Sequence, residues 1–208
     1  MIYRAKYNWF LYNFFQAYSV WKTKMNFHPV LINGSFEEKG LPVLVISNHF
    51  SWWDGFWAVY LNYKVFRRRF HFMMLEEQLK KHMFFNKTGG FSIKKGARSI
   101  LETIEYTAEL LTDNKNMVLI FPQGEIRSMH VSEIHFESGT ENIIKRAGGN
   151  IHLIFLANIL DYFSSRKPAL FMNFREYSGK DFSTETLRKE YNQFYSDCLS
   201  ENIKKSDT

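Results

Sequence analysis

The sequence predicts an α/β fold: a single domain with a mostly parallel central sheet flanked by helices, preceded by an N-terminal amphipathic helix. Three observations predict it. Apolar runs such as residues 43–46 (VLVI) and 117–121 (MVLIF) lack polar alternation, as strands buried on both faces do. Segments of helical period alternate with these runs, which is the pattern of an α/β sheet. Glycines and prolines such as Gly40, Pro42, Gly89, Gly90, Gly148 and Gly149 punctuate the boundaries between segments.

The elements follow in order. Over residues 2–25, Trp9, Phe10, Phe14, Tyr18 and Trp21 recur near helical spacing, and Arg4, Lys6, Lys22 and Lys24 charge both ends. Pro29 closes that segment, and residues 30–33 read as a short strand before Gly34. Gly40 and Pro42 introduce the strand at 43–46, and a helix begins near Ser51. Residues 70–75 (FHFMML) read as a strand, with helix signals through Lys80. Gly89 and Gly90 turn the chain into a strand at 91–93. The clearest helix is 97–112, with Ile100, Leu101, Ile104, Ala108 and Leu111 on one face. After the strand at 117–121 come a helix over 140–147, ended by Gly148 and Gly149, and strands at 151–156 and 169–174. Ser183 is the N-cap of a last helix, roughly 184–203, that turns Leu187, Tyr191, Phe194 and Cys198 inward. The expected divisions are a helical segment at 1–27, one domain at 28–203, and a frayed tail at 204–208.

Composition narrows the partners. Of 208 residues, 45% are apolar and 18% aromatic, and the net charge is +6. Positive charge favours acidic partners, and the added aromatic excess favours anionic lipid. Rings at headgroup depth and cations at the ends are what a helix lying on a membrane needs. The expected placement is peripheral or monotopic, on the cytoplasmic face of a membrane. No run approaches a spanning length, and nothing resembles a cleaved leader. Cys198 is the single cysteine, so the chain forms no internal disulfide and no paired-cysteine metal site. Nucleic acid is not an expected partner, because the charge is spread along the chain and no finger or RNP pattern occurs.

The chemistry concentrates at residues 47–56, SNHFSWWDGF. A strand that ends at Ser47-Asn48 delivers His49 to its carboxyl end, where open α/β sheets place ligands. Asp54 follows five residues later. If a helix begins between them, the carboxylate can fold back on the imidazole, fix its tautomer and stabilise its protonated form. That makes a base with an orienting partner. With no G-x-S-x-G and no phosphate loop in the chain, the simplest nucleophile is a substrate hydroxyl.

Asn48-His49-x4-Asp54 with Ser51 resembles the first motif, NHxSxxD, of the glycerolipid acyltransferases, the lysophosphatidic acid acyltransferase-like family. Residues 89–95 (GGFSIKK) resemble the second motif, with Ser92 at its phenylalanine and Lys95 at its arginine. Residues 121–128 (FPQGEIRS) resemble the third, FPEGTRS, with Gln123 for the acidic residue and Glu125-Ile126 for the threonine. Arg127 then stands one place late for the motif arginine, and Phe136-x-x-Gly139 follows as it does in the family.

The resemblance implies an O-acyltransferase. It would move a fatty acyl group from an acyl thioester, acyl-CoA or acyl-carrier protein, to a lysophospholipid hydroxyl, with lysophosphatidic acid the default acceptor. It implies that His49 is the general base and Asp54 its orienting carboxylate. Substrate-binding roles fall to Asn48, Ser51, Lys95, Gln123, Gly124, Glu125 and Arg127, with no metal and no cofactor beyond the acyl donor. The altered third motif leaves room for another hydroxylated lipid acceptor. A non-catalytic lipid-binding relative is the remaining alternative.

Overall fold

The structure, a computed structural model, describes residues 2–94 and 96–205, with Ala97 by its backbone only. Residues 206–208 of the expected frayed tail lie outside the described residues. The strands are β1 (Val30–Asn33), β2 (Val43–Ser47), β3 (Arg69–Leu75), β4 (Gly90–Ile93), β5 (Asn116–Ile120), β6 (His152–Asp161) and β7 (Ala169–Glu176). The helices are α1 (Trp9–Asn26), α2 (Asp54–Leu61), α3 (Glu76–Lys81), α4 (Phe84–Lys87), α5 (Ala97–Leu110), α6 (Thr140–Arg146) and α7 (Thr184–Ile203). A π-helical turn, Asn62–Phe66, extends α2.

The seven strands form one sheet in the order β1-β7-β6-β2-β5-β3-β4. All pairs are parallel except β6 with β7. The unalternating apolar runs occupy the centre because both faces are covered. On β2, Leu44 and Ile46 join the core under α5, α6 and α7, whereas Val43 and Val45 join the core under α1 and α2. On β5, Val118 and Ile120 face the first core, Met117 and Leu119 the second. Each fully buried aliphatic side chain contributes about 1.5–3 kcal/mol.

Connectivity makes the crevice. From β2 the chain crosses by α2, on one face, towards β3. From β5 it crosses by α6, on the other face, to β6 on the far side of β2. The chain segments leaving β2 and β5 therefore diverge to opposite faces. Such a switch point opens a crevice at the carboxyl ends of the strands.

The structure differs from the sequence reading at the N-terminus. Helix α1 starts at Trp9 rather than residue 2, because Asn8 caps it with its side chain on the Leu11 N–H at 3.0 Å. Ahead of it, residues 2–8 are non-helical, and the body occupies their amides. Tyr3 N–H donates to Ser92 Oγ at 2.8 Å, Ala5 N–H to the Tyr106 hydroxyl at 3.2 Å, and Lys6 N–H to the Asn86 carbonyl at 2.9 Å. In return Ser92 N–H donates to the Tyr3 carbonyl at 2.9 Å, so this strap covers the outer edge of β4. Strand β6 also runs longer than expected, to Asp161, because β7 returns antiparallel along it and pairs Asp161 with Ala169.

Candidate active site

Strand β2 ends at Ser47, and the next residues make a loop before α2 starts at Asp54. Asp54 sits in the first turn of that helix with its side chain wholly buried. Its Oδ2 accepts three hydrogen bonds: from His49 Nδ1 at 2.7 Å and from the Phe50 and Ser51 amides at 2.9 Å each. One carboxylate oxygen thus shapes the loop and holds the imidazole. Burial pushes the Asp54 carboxyl up from its ordinary range, against the pull of His49 and the two amides. Its second oxygen, Oδ1, is buried with no hydrogen-bond partner among the described residues.

The imidazole is oriented from two further sides. Its ring lies flat on Phe121, with centroids 3.9 Å apart and planes 12° from parallel. The His49 N–H donates to Gln123 Oε1 at 2.6 Å, and its carbonyl accepts from the Arg127 N–H at 3.0 Å. The segment after β5 is thereby stitched to the segment after β2. With Nδ1 on Asp54, Nε2 remains to exchange a proton. No hydrogen bond engages it among the described residues, and the side chain is 20% exposed.

Some of the expected substrate contacts have other duties. Asn48, only 1% exposed, donates through Nδ2 to the Asn158 carbonyl and accepts from the Asn158 N–H, both at 2.9 Å. It clamps β2 to β6 below the histidine. Gln123 is also buried, and its amide oxygen is spent on the His49 backbone. Ser51 Oγ accepts from the Trp53 N–H at 3.1 Å. Glu125 and Arg127 are exposed and paired with each other in front of the loop. Gly124 turns that loop at φ +67°, a conformation that side chains other than glycine resist.

The second motif lies farther off. A Cβ at Gly89 (φ +108°) would stand 2.1 Å from the Phe70 carbonyl oxygen, so this glycine permits the close approach of β3. Phe91 and Ser92 are buried. Strand β4 ends on the same side of the sheet as His49 but three strand spacings away, roughly 14 Å. Lys95 lies outside the described residues.

The aromatic residues divide by depth. Trp57 and Phe56 are core, and Trp57 packs edge-on to Phe27. Trp52 is 63% exposed. It leans on Phe56, which reaches Tyr18 of α1, and Tyr18 neighbours Phe14 and Trp21. Ring contacts thus run from α1 through the buried Phe56 to Trp52 on the loop that follows His49.

Sequence reasoning missed two orienting groups, Phe121 and Asn158. Phe121 was legible as the first letter of a motif but carried no role. Asn158 was signalled by a lone amide within the apolar run of β6.

The pattern that defines the Acyltransferase family matches residues 30–157. No curated protein sequence matches the chain. Among solved structures, the 1-acyl-sn-glycerophosphate (LPA) acyltransferase PlsC from Thermotoga maritima superposes with a TM-score of 0.61. The identity is 15%, over 94% of this chain and 81% of that one. At such identity the likeness extends to the fold.

Proposed function

This chain is a member of the Acyltransferase family, and from that premise we propose that it esterifies a lyso-lipid hydroxyl with a fatty acyl group from a thioester donor. The observation that carries the proposal is the 2.7 Å contact of His49 Nδ1 with Asp54 Oδ2 at the carboxyl end of β2. With Nδ1 engaged, Nε2 accepts the proton of the acceptor hydroxyl. The oxygen attacks the thioester carbonyl, and the carbon–sulfur bond breaks as the tetrahedral intermediate collapses. The thiolate leaves and recovers the proton from His49. The Asp54 carboxylate stabilises the imidazolium between those transfers. Asn48, Gln123 and Phe121 act earlier, by holding the imidazole where both substrates converge.

The enzyme works at a membrane surface in this reading. Trp9, Phe10, Phe14 and Trp21 are each more than half exposed on α1, a large apolar face for a chain to leave in water. Among the described residues, no helix is long and apolar enough to cross a membrane. The donor is acyl-CoA or acyl-carrier protein, and lysophosphatidic acid is the default acceptor.

A second reading of the acceptor has an observation in its favour. Glu125 already neutralises Arg127, one of the two cations, with Lys95, expected to bind substrate. A phosphate must displace that carboxylate, whereas an uncharged or zwitterionic acceptor need not. The test is transfer of labelled palmitate from its CoA and carrier-protein thioesters to a panel of lyso-lipids, with His49→Ala in parallel. Transfer that is lost in the variant supports the mechanism. Undiminished transfer by the variant removes His49 as the base.

A further inference from the structure

We propose that a basic cleft between α1 and the π-helical turn, at the end of the sheet opposite His49, binds the phosphate of an anionic phospholipid headgroup. The cleft has a volume of about 440 Å³ and is lined by Tyr12, Gln16, Tyr63, Lys64, Arg67 and Arg68. None of these is acidic. Gln16, Tyr63, Lys64, Arg67 and Arg68 carry side-chain donors for a phosphate oxygen, whereas Tyr12 spends its hydroxyl on the Arg68 carbonyl at 3.2 Å and forms the wall. The proposal rests on the membrane reading above and adds a specific headgroup site to it.

The three consecutive arginines that the sequence presents have separate fates. Arg69 lies over the Tyr7 ring at 5.3 Å. Arg68 is held by Glu38, and its backbone is locked to the Asn62 side chain. Yet Arg68 Nε is buried beside the cleft with no acceptor among the described residues. A buried cationic donor without an acceptor is costly unless a ligand completes it. Arg67 has no ion-pair partner among the described residues. Lys64 Nζ lies 6.0 and 5.8 Å from the ring centres of Tyr60 and Tyr63 and has no ion-pair partner among the described residues.

Arg67 is also in a strained conformation. It ends the π-helical turn at φ 56°, ψ 42°, the left-handed region where glycine is the usual residue. A turn that needs only to be closed is closed better by glycine. An arginine retained there, aimed at a basic cleft, is strain of the kind that accompanies binding. The lipid assignment follows from the walls. Helix α1 supplies Tyr12 and Gln16 to the cleft and, on its other residues, the exposed rings that would enter the lipid. Trp9, 73% exposed, stands two turns before Gln16 on the same face of α1, so burying that ring in lipid brings headgroup phosphates to the cleft.

The test measures partition of the full chain onto phosphatidylcholine vesicles with and without phosphatidylglycerol, for wild type and Lys64→Gln/Arg67→Gly. The comparison is Arg166→Gln/Lys167→Gln, which removes the same charge at exposed positions elsewhere. A surface charge of this kind is equivalent to about 5-fold in partition. The cleft variant should therefore lose roughly 25-fold on the anionic vesicles, keep its binding to phosphatidylcholine, and melt no lower than wild type. The comparison variant should lose little. Equal losses in the two variants would mean a diffuse field and overturn the cleft. Unchanged vesicle binding with a raised KM for palmitoyl-CoA would reassign the cleft to the phosphates of the donor. Failure of wild type to bind either vesicle would overturn the membrane reading itself.

Discussion

Replacing Asp54 by asparagine isolates the charge of the carboxylate from its shape. In the wild type, Oδ2 takes the His49 Nδ1 hydrogen at 2.7 Å and two backbone amides at 2.9 Å. An asparagine can set its carbonyl oxygen in the same place and keep all three donors. Its NH2 group then replaces Oδ1, which already lacks a partner. The loop persists, and the imidazolium loses its counter-charge. A hydrogen bond to a charged group is worth about 1.5–3 kcal/mol. At about 1.36 kcal/mol per decade, kcat should fall between about 10- and 150-fold, with KM for both substrates little changed. Stability should move differently. Burial raises the Asp54 carboxyl, so the native state holds that proton more tightly than the unfolded chain does. The charged side chain therefore costs stability above its ordinary value of 3.8, and asparagine does not carry that cost. Melting curves at pH 4 and pH 7 should show the variant gaining on wild type at the higher pH. A kcat within threefold of wild type, or a loss confined to KM, would refute the orienting role of Asp54.

Four further outcomes are expected. Trp52→Ala removes an exposed ring next to the site, and should raise KM for a vesicle-borne acceptor several-fold while leaving kcat nearly intact; a pure kcat defect would place Trp52 in the chemistry instead. Asn48→Ala strands the Asn158 N–H and carbonyl in the core, and chemical denaturation should show a loss of about 2–4 kcal/mol, with no loss ruling out the clamp. Burial lowers the His71 pKa to about 4, so the native state resists a proton that the unfolded chain accepts below about 6.5. Stability should fall by about 3 kcal/mol between those values, and His71→Phe should flatten that slope. Gly89→Ala must drive a methyl against the Phe70 carbonyl at a positive φ, and thermal melting should report a loss of at least about 2 kcal/mol.

How much of this was legible in the chain depended on how local the cause was. Apolar runs announce central strands because burial on both faces removes every polar position, and each expected strand is present. The His49–Asp54 pair was legible because its members lie only five residues apart. Asn48 and Gln123 were read as substrate ligands, since nothing local says what else they serve. Their partners, Asn158 and the His49 backbone, are 110 and 74 residues away along the chain. Residues 2–8 read as helix for the same reason. Their apolar spacing is locally compatible with one, and the acceptors that draw their amides away belong to residues 86, 92 and 106. Two of the cleft's cations, Arg67 and Arg68, stand in the sequence as a run with Arg69, and only the left-handed turn at Arg67 and the pairing of Arg68 with Glu38 separate their roles.

The strap along β4 has a practical consequence for work on this protein. A chain trimmed ahead of α1, in the hope of a more soluble enzyme, would strip the cover from the outermost strand of the sheet. An open parallel edge invites pairing with a second molecule, so the trimmed protein should precipitate or form ordered aggregates. Loss of vesicle binding in such a truncation would then say nothing about lipid. The rings of α1 have to be tested by substitution, with the first eight residues left in place.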